Sequence, residues 1–401
     1  MKKKKYFAWI ISGANYKESL DSHSFFFEKL SKNFEKIYYI NICNLSFFGN
    51  EKKGNPPSQK DMPYNFIYFE PGSFFEFKKF LKDKKLIGVC NFGKDFEDLK
   101  HHLILNFLDI KFIQISNIGN IQWSHFVEKY KPFIVKIKFR LLKYYTQKLI
   151  NFLSIIGLVP KIQLRFLSDR TIIENIKKNK LKYLFYKLKL FYAKELILVN
   201  SRAYDMFLEK KLVLSDDFIV LLDYDLNHPD DKMSHQTYSE ENYNTHYNYL
   251  KSFLDDLSKK YNRKVVVTIH PRDNLDKKKK IFSNYEVVQF KTQEFIGKAF
   301  IVIFFDSSAI VDAILMKKRI VTLVSRSLGR LVRDGSNKYS SLAGIYQTIL
   351  DEIDNSKIEK IVNESEKRIP LFNKYIAQNI APDGKEEGYK KIIHIIKERF
   401  F

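Results

Sequence analysis

Four short groups of polar residues in the second half of the chain have the types and spacing for nucleophilic or acid–base chemistry and for binding phosphate or carboxylate. The first is Leu222-Asp223-Tyr224-Asp225-Leu226-Asn227-His228-Pro229-Asp230, with three carboxylates and a histidine within eight residues. An ionised aspartate is a nucleophile at neutral pH, and an acid beside a histidine can move a proton. Acids in such a stretch also serve as turn residues and helix caps. Asp223-Tyr224-Asp225 further fits the short D-x-D pattern that can hold a divalent metal. The second group is Thr268-Ile269-His270-Pro271-Arg272. Pro271 stops a strand there, which leaves His270 and Arg272 to meet phosphate or carboxylate at its end. The third, Phe305-Asp306-Ser307-Ser308-Ala309-Ile310, empties an apolar strand into two serines that open a helix. Free N–H groups and the positive dipole end suit phosphate at such a place, and plain capping uses the same residues. The fourth is Lys291-Thr292, a cation and a hydroxyl just past another strand, where a solvated turn is the simpler use.

Each group follows a run that reads as a strand. The second half predicts strands at Asp217–Asp223, Lys264–Ile269, Glu286–Phe290, Phe300–Phe305 and Arg319–Leu323. The first half predicts them at Tyr6–Ser12, Lys36–Ile40, Phe66–Phe69, Leu86–Cys90, Lys111–Ile115 and Leu196–Asn200. These runs are continuous in Val, Ile, Leu and Phe, as strands buried on both faces are. Helical stretches between them make βαβ units, so the expected class is α/β with two Rossmann-like domains facing across a cleft. Open sheets of this kind bind ligands at the carboxyl ends of their strands, where all four groups fall. The domain reading is 1–212, then 213–385, then a C-terminal helix at 386–401 that returns to the first domain. A basic stretch near 126–166 breaks the pattern. It carries Lys131, Lys136, Lys138, Arg140, Lys143 and Lys148 among apolar residues. It reads as helical, either packed on the first domain or able to touch anionic lipid.

Composition narrows the function classes. The chain has 401 residues, 45% hydrophobic and 29% charged, ample for two cores. Its net charge is +23, which favours phosphate-rich partners: a nucleotide, nucleic acid or an anionic membrane surface. No helix-turn-helix, zinc-finger or RNP-like signature accompanies that charge, so a basic nucleic-acid-binding protein is the lesser reading. Cys43 and Cys90 are the two cysteines, too few for a structural zinc site. They read as buried free thiols in a reducing compartment. The apolar run Tyr6–Ile11 is too short for a signal peptide, and no run approaches the roughly 20 residues of a membrane span. The expected location is the cytoplasm, with peripheral contact to the inner membrane.

The series L-D-x-x-x-x-H-P-D, I-H-P, K-T and S-S-A resembles the retaining β-Kdo transferases of bacterial O-antigen and capsule assembly. These are GT-B enzymes that share motif logic with bacterial sialyltransferases. Leu158-Val159-Pro160-Lys161-Ile162 is similar to that group too, and the resemblance is clearest over Lys161–Leu323. It implies CMP-β-Kdo as donor, no metal, and a glycan acceptor, often lipid-linked. Carried over, Ser307 and Ser308 would bind the CMP phosphate, and His270 would face the phosphate and the Kdo carboxylate. Pro271, Arg272, Lys291 and Thr292 would complete the donor site. Asp223, or failing it Asp230, would attack the anomeric carbon. Tyr224 and Asp225 make the loop more acidic than the family pattern. The competing enzyme reading is an inverting, sialyltransferase-like enzyme with an N-domain carboxylate as general base. A metal-dependent transferase using Asp223 and Asp225 is a third.

Overall fold

The computed structural model describes residues 4–11, 16–43, 45, 65–90, 96–108, 110–116, 145, 149, 152–153, 156–160, 162–180, 183–184, 193–210, 213–223, 239–270, 273–384 and 386–401. The expectation of an α/β chain with two parallel sheets is met. The described residues divide into two compact units, one running up to Met206 and including the last segment, Gln378–Phe401, the other Phe207–Ala377.

The first unit is built on seven strands: β1 (Lys4–Ile11), β2 (Ile37–Asn41), β3 (Phe66–Phe69), β4 (Lys84–Cys90), β5 (Ile110–Ser116), β6 (Ile162–Leu167) and β7 (Ala193–Leu198). They run in the order β3-β2-β1-β4-β5-β6-β7, every pair parallel. Alternate residues of β1 serve the two faces. Phe7, Trp9 and Ile11 pack with Phe26, Phe27 and Leu30 of α1 (Tyr16–Ser31). Ala8 and Ile10 pack on the other face with Phe77 of α2 (Phe74–Phe80) and with Ile104 and Leu105 of α3 (Phe96–Asn106). Burial on both faces is why the strand runs are continuously apolar. After β6 comes α4 (Arg170–Lys178), and after β7 comes α5 (Arg202–Glu209).

The second unit carries β8 (Phe218–Leu222), α6 (Glu240–Tyr261), β9 (Lys264–Ile269), α7 (Leu275–Ile281), β10 (Glu286–Gln289), α8 (Thr292–Gly297), β11 (Ala299–Phe304), α9 (Ile310–Leu315), β12 (Arg319–Val324), α10 (Gly329–Ala343), β13 (Tyr346–Ile349) and α11 (Ile358–Lys367). Its sheet order is β10-β9-β8-β11-β12-β13, again parallel throughout. One face packs on Leu250, Phe253 and Leu254 of α6 and on Ile358, Ile361 and Val362 of α11. On the other side Phe218 meets Phe295 of α8 and Phe304 meets Tyr339 of α10, with ring centroids 5.5 and 5.2 Å apart.

The last helix, α12 (Gly388–Phe400), packs into the first unit through Ile392, Ile393, Ile396 and Phe400. Its N-terminus has no side-chain cap of its own. The buried carboxylate of Asp205 accepts instead from the Gly388 and Tyr389 amides, at 2.6 and 3.0 Å. Asn200 holds the approach, donating to the Gly384 and Glu386 carbonyls at 2.9 and 2.6 Å.

Several sequence expectations need correction. Ile162–Leu167 is strand β6, so the helical reading of the basic stretch does not extend through Phe166. The rest of that stretch up to residue 144, with Lys131, Lys136, Lys138, Arg140 and Lys143, lies outside the described residues, as does Lys148. The seventh strand is Ala193–Leu198 rather than Leu196–Asn200, because Asn200 turns to hold the chain before α12. Strand β13 was absent from the sequence reading. Cys43 is half-buried rather than buried. Among the described residues no helix is long and apolar enough to cross a membrane.

Candidate functional site

In the second sheet the strand order reverses direction between β8 and β11. The carboxyl ends of strands at such a reversal form the usual ligand crevice of open α/β sheets. The four polar groups occupy the ends of β8, β9, β10 and β11, which are neighbours in the order β10-β9-β8-β11.

At the end of β8, the Asp223 amide donates to the Thr268 carbonyl of β9 at 2.9 Å. Its side chain is only 3% exposed and forms a close ion pair with Lys278 of α7. Lys278 also lies 3.3 Å from Asp273 and donates to the Tyr247 hydroxyl of α6 at 3.1 Å. Burial alone would lower the Lys278 pKa, but the charge and hydrogen bond of Asp223 and the charge of Asp273 outweigh it and raise it. Tyr247 is held far above its ordinary value by burial, reinforced by the Asp223 charge. His246, one residue earlier, is pushed down to about 3 by burial and by Lys278. It is therefore a neutral imidazole, packed edge-on to Phe305 with centroids 4.9 Å apart. Asp230, Tyr224, Asp225 and His228 lie outside the described residues.

At the end of β9, the Asp273 amide donates to the His270 carbonyl at 2.9 Å. Gln289, the last residue of β10, donates from Nε2 to the His270 and Asp273 carbonyls at 3.2 and 3.1 Å. Two strand ends and Lys278 thus fix this loop, and the His270 side chain is exposed. Pro271 and Arg272 lie outside the described residues. Past β10, Phe290 has a left-handed backbone, φ +66°, and its side chain is exposed. Lys291 then precedes α8 as an exposed residue with no side-chain cap bond, and Thr292 is half-buried.

At the end of β11, Asp306 is buried beneath α10. A Cβ on Gly335 would stand 2.5 Å from its Oδ2, so glycine is what lets the helix come so close. Ser336 of the same helix donates to the Phe305 and Leu323 carbonyls at 3.0 and 2.7 Å, joining the ends of β11 and β12. Ser307 accepts from the Ala309 amide at 3.3 Å, a local turn ahead of α9. The N-cap of α9 is Ala309 with no side-chain cap bond, so the serines do not cap the helix as the sequence suggests. Ser308 is exposed. In α9, burial raises Asp312 to about 6, despite a 3.0 Å hydrogen bond from Gln293. Among the described residues no group of three or more His, Cys, Asp or Glu is placed to hold a metal.

The structure therefore gathers Asp223, His270, Lys291, Thr292, Ser307 and Ser308 along one sheet edge. It adds Lys278, Gln289 and Tyr247, which the sequence reading missed, and Asp306, which that reading quoted without a role. Lys278 hides within Lys277-Lys278-Lys279-Lys280. The signal was its place three residues after Leu275 and four before Phe282, on the inward face of α7. In the first unit, a second polar group closes the ends of β2 and β3. Tyr68 donates to Glu70 at 2.5 Å, and the Cys43 thiol lies 3.8 Å from the other Glu70 oxygen. Burial and Glu70 hold Tyr68 above its ordinary pKa.

No protein-family model matches the chain, and no curated protein is similar to it. Solved structures resemble it over nearly its whole length. CalG4, the calicheamicin glycosyltransferase, gives a TM-score of 0.49 at 8% identity, covering 100% of both chains. The wall teichoic acid polymerase TagF gives 0.48 at 11% identity, covering 98% of this chain and 88% of that one. A UDP-N-acetylglucosamine 2-epimerase of Listeria monocytogenes, described as putative, gives 0.48 at 12%, covering 100% and 97%. At such scores and identities none of these likenesses assigns an activity.

Proposed function

We propose that this chain is a GT-B glycosyltransferase that moves Kdo from CMP-β-Kdo to a glycan acceptor, with retention and without a metal. The observation that carries the reading is the convergence of Asp223, His270, Lys291-Thr292 and Ser307-Ser308 on the ends of four neighbouring parallel strands around a switch point. The donor presents two anions, a phosphate ester and the sugar carboxylate. His270, Arg272 and Lys291 supply cationic or hydrogen-bonding partners for both, and Ser308 offers an exposed hydroxyl. Stabilising the departing phosphate is the electrostatic task that usually dominates such catalysis.

Retention requires two displacements. A carboxylate oxygen bonds to C2 while the C2–O bond to phosphate breaks and its electron pair leaves with CMP. An acceptor hydroxyl oxygen then bonds to C2. The carboxylate departs with its pair, and the hydroxyl proton passes to the phosphate or a nearby carboxylate. The buried pairing of Asp223 with Lys278 favours Asp230 as the attacking group and Asp223 as the anchor of the strand end. The acceptor in this reading is a lipid-linked glycan, and the basic residues that precede β6, Lys131 to Lys148, meet anionic lipid at the inner membrane.

The test is CMP release from CMP-Kdo and CMP-sialic acid, with the product's anomeric configuration read by NMR. Retention, loss of transfer in Asp230→Asn, and a Kdo adduct on the peptide carrying Asp230 are expected. A second reading is inversion with a first-unit carboxylate as base, Glu70 at the end of β3 being the one to test. An inverted product and an inactive Glu70→Gln would establish it in place of the first.

A further inference from the structure

Phe290 carries two costs at one residue. Its backbone is left-handed, φ +66°, where a Cβ crowds the neighbouring carbonyl and glycine or asparagine is the usual occupant. Its side chain is 76% exposed, so packing does not offset that strain. The other left-handed residues in the described chain that are not glycine are Asn262, which ends α6, and Lys317. Neither presents a large apolar surface. The tight passage from β10 into α8 accounts for the φ value, since only Phe290 and Lys291 separate Gln289 from Thr292. A glycine would make that passage at lower cost, so the turn does not account for the ring.

The surroundings do. Ile269 and Gln289 are register partners, so His270 and Phe290 are the next residues at adjoining strand ends. Gln289 ties the two ends together through the His270 and Asp273 carbonyls. Lys291 follows with an exposed side chain. An exposed aromatic ring on a strand end next to that of His270 and followed by Lys291 suits a ligand made of a flat ring joined to a phosphate. We propose that Phe290 is the stacking surface for the nucleobase of the donor nucleotide. This rests on the reading of the chain as a nucleotide-sugar transferase, and it gives that donor site a base-binding residue. Stacking tolerates any aromatic but not an aliphatic side chain, because the flat π-face makes the contact.

The experiment is calorimetric titration of CMP into the full chain and into Phe290→Tyr, Phe290→Trp, Phe290→Leu and Phe290→Gly, with melting temperatures taken alongside. Affinity should hold in the Tyr and Trp proteins and fall roughly ten-fold or more in the Leu and Gly proteins. Phe290→Gly should melt no lower than the parent, since it relieves the left-handed strain, so its loss of affinity is not loss of fold. Equal CMP affinity in the parent, Leu and Gly proteins overturns the stacking role and leaves the transferase reading standing. A parent that binds neither CMP nor UMP overturns both. A parent that prefers UMP, with the same dependence on Phe290, keeps the stacking role and removes CMP as the donor nucleotide.

Discussion

Lys278 organises the carboxyl edge of the second sheet from a single buried atom. Its Nζ touches Asp223 from β8, Asp273 from the β9 loop and Tyr247 from α6. Removing the ammonium leaves two carboxylates nearly out of water and close together, and breaking a buried pair this way usually costs about 3–5 kcal/mol. Lys278→Met should therefore lower the stability of the second unit by about that amount in urea unfolding. Adding Asp223→Asn and Asp273→Asn should recover most of it. A loss below about 1 kcal/mol in the single variant would mean that the pair is open to water. The residues that could face a ligand were legible in the sequence, since His270, Lys291 and Ser307-Ser308 each stand at the end of an apolar run. The residues that hold them were not. Lys278 looks like one cation in a solvated run until the three- and four-residue spacing to Leu275 and Phe282 is weighed. Gln289 reads as an ordinary polar end to a strand.

At the scale of elements, strands buried on both faces announce themselves by unbroken apolar runs, and β1, β8, β9 and β11 do so. Strand β6 does not, because Gln163 and Arg165 interrupt it. Arg165 is mostly buried even so, and desolvation lowers its pKa to about 10. Strand β13 is a half-buried edge of four residues with no apolar run to find. The start of α12 shows how tightly an element can be seated. A Cβ on Gly388 would stand 2.2 Å from the Asn200 carbonyl oxygen, a backbone atom that cannot swing aside. The Gly388 amide is meanwhile bound by Asp205. Gly388→Ala must push the helix start away from both, at a cost of about 1–3 kcal/mol for such overpacking. It should lower the melting temperature and speed proteolysis between 383 and 401. An unchanged melting temperature would mean that the helix start has room to shift.

Across the whole molecule, the alternation of strands and helices made two α/β sheets legible, but not how deeply the last segment enters the first of them. Ile392, Ile393 and Ile396 are buried with Phe7, Trp9 and Phe34 in one cluster, and Phe400 joins them. Fully burying each such side chain stabilises by about 1.5–3 kcal/mol. Four of them together approach the roughly 5–15 kcal/mol that holds a whole domain folded. Among the described residues, the main cluster of the second unit has no such dependence. It is drawn from residues between Ile219 and Val362, all on its own side of the division. A chain ending at Ala377 should then lose the fold of its first unit while the second survives. Limited proteolysis followed by mass spectrometry should find residues 4–206 cut freely and a resistant fragment spanning roughly 213–377. Equal protection of both regions would mean that the first sheet closes its core without α12, and that the helix is a cover rather than part of that core.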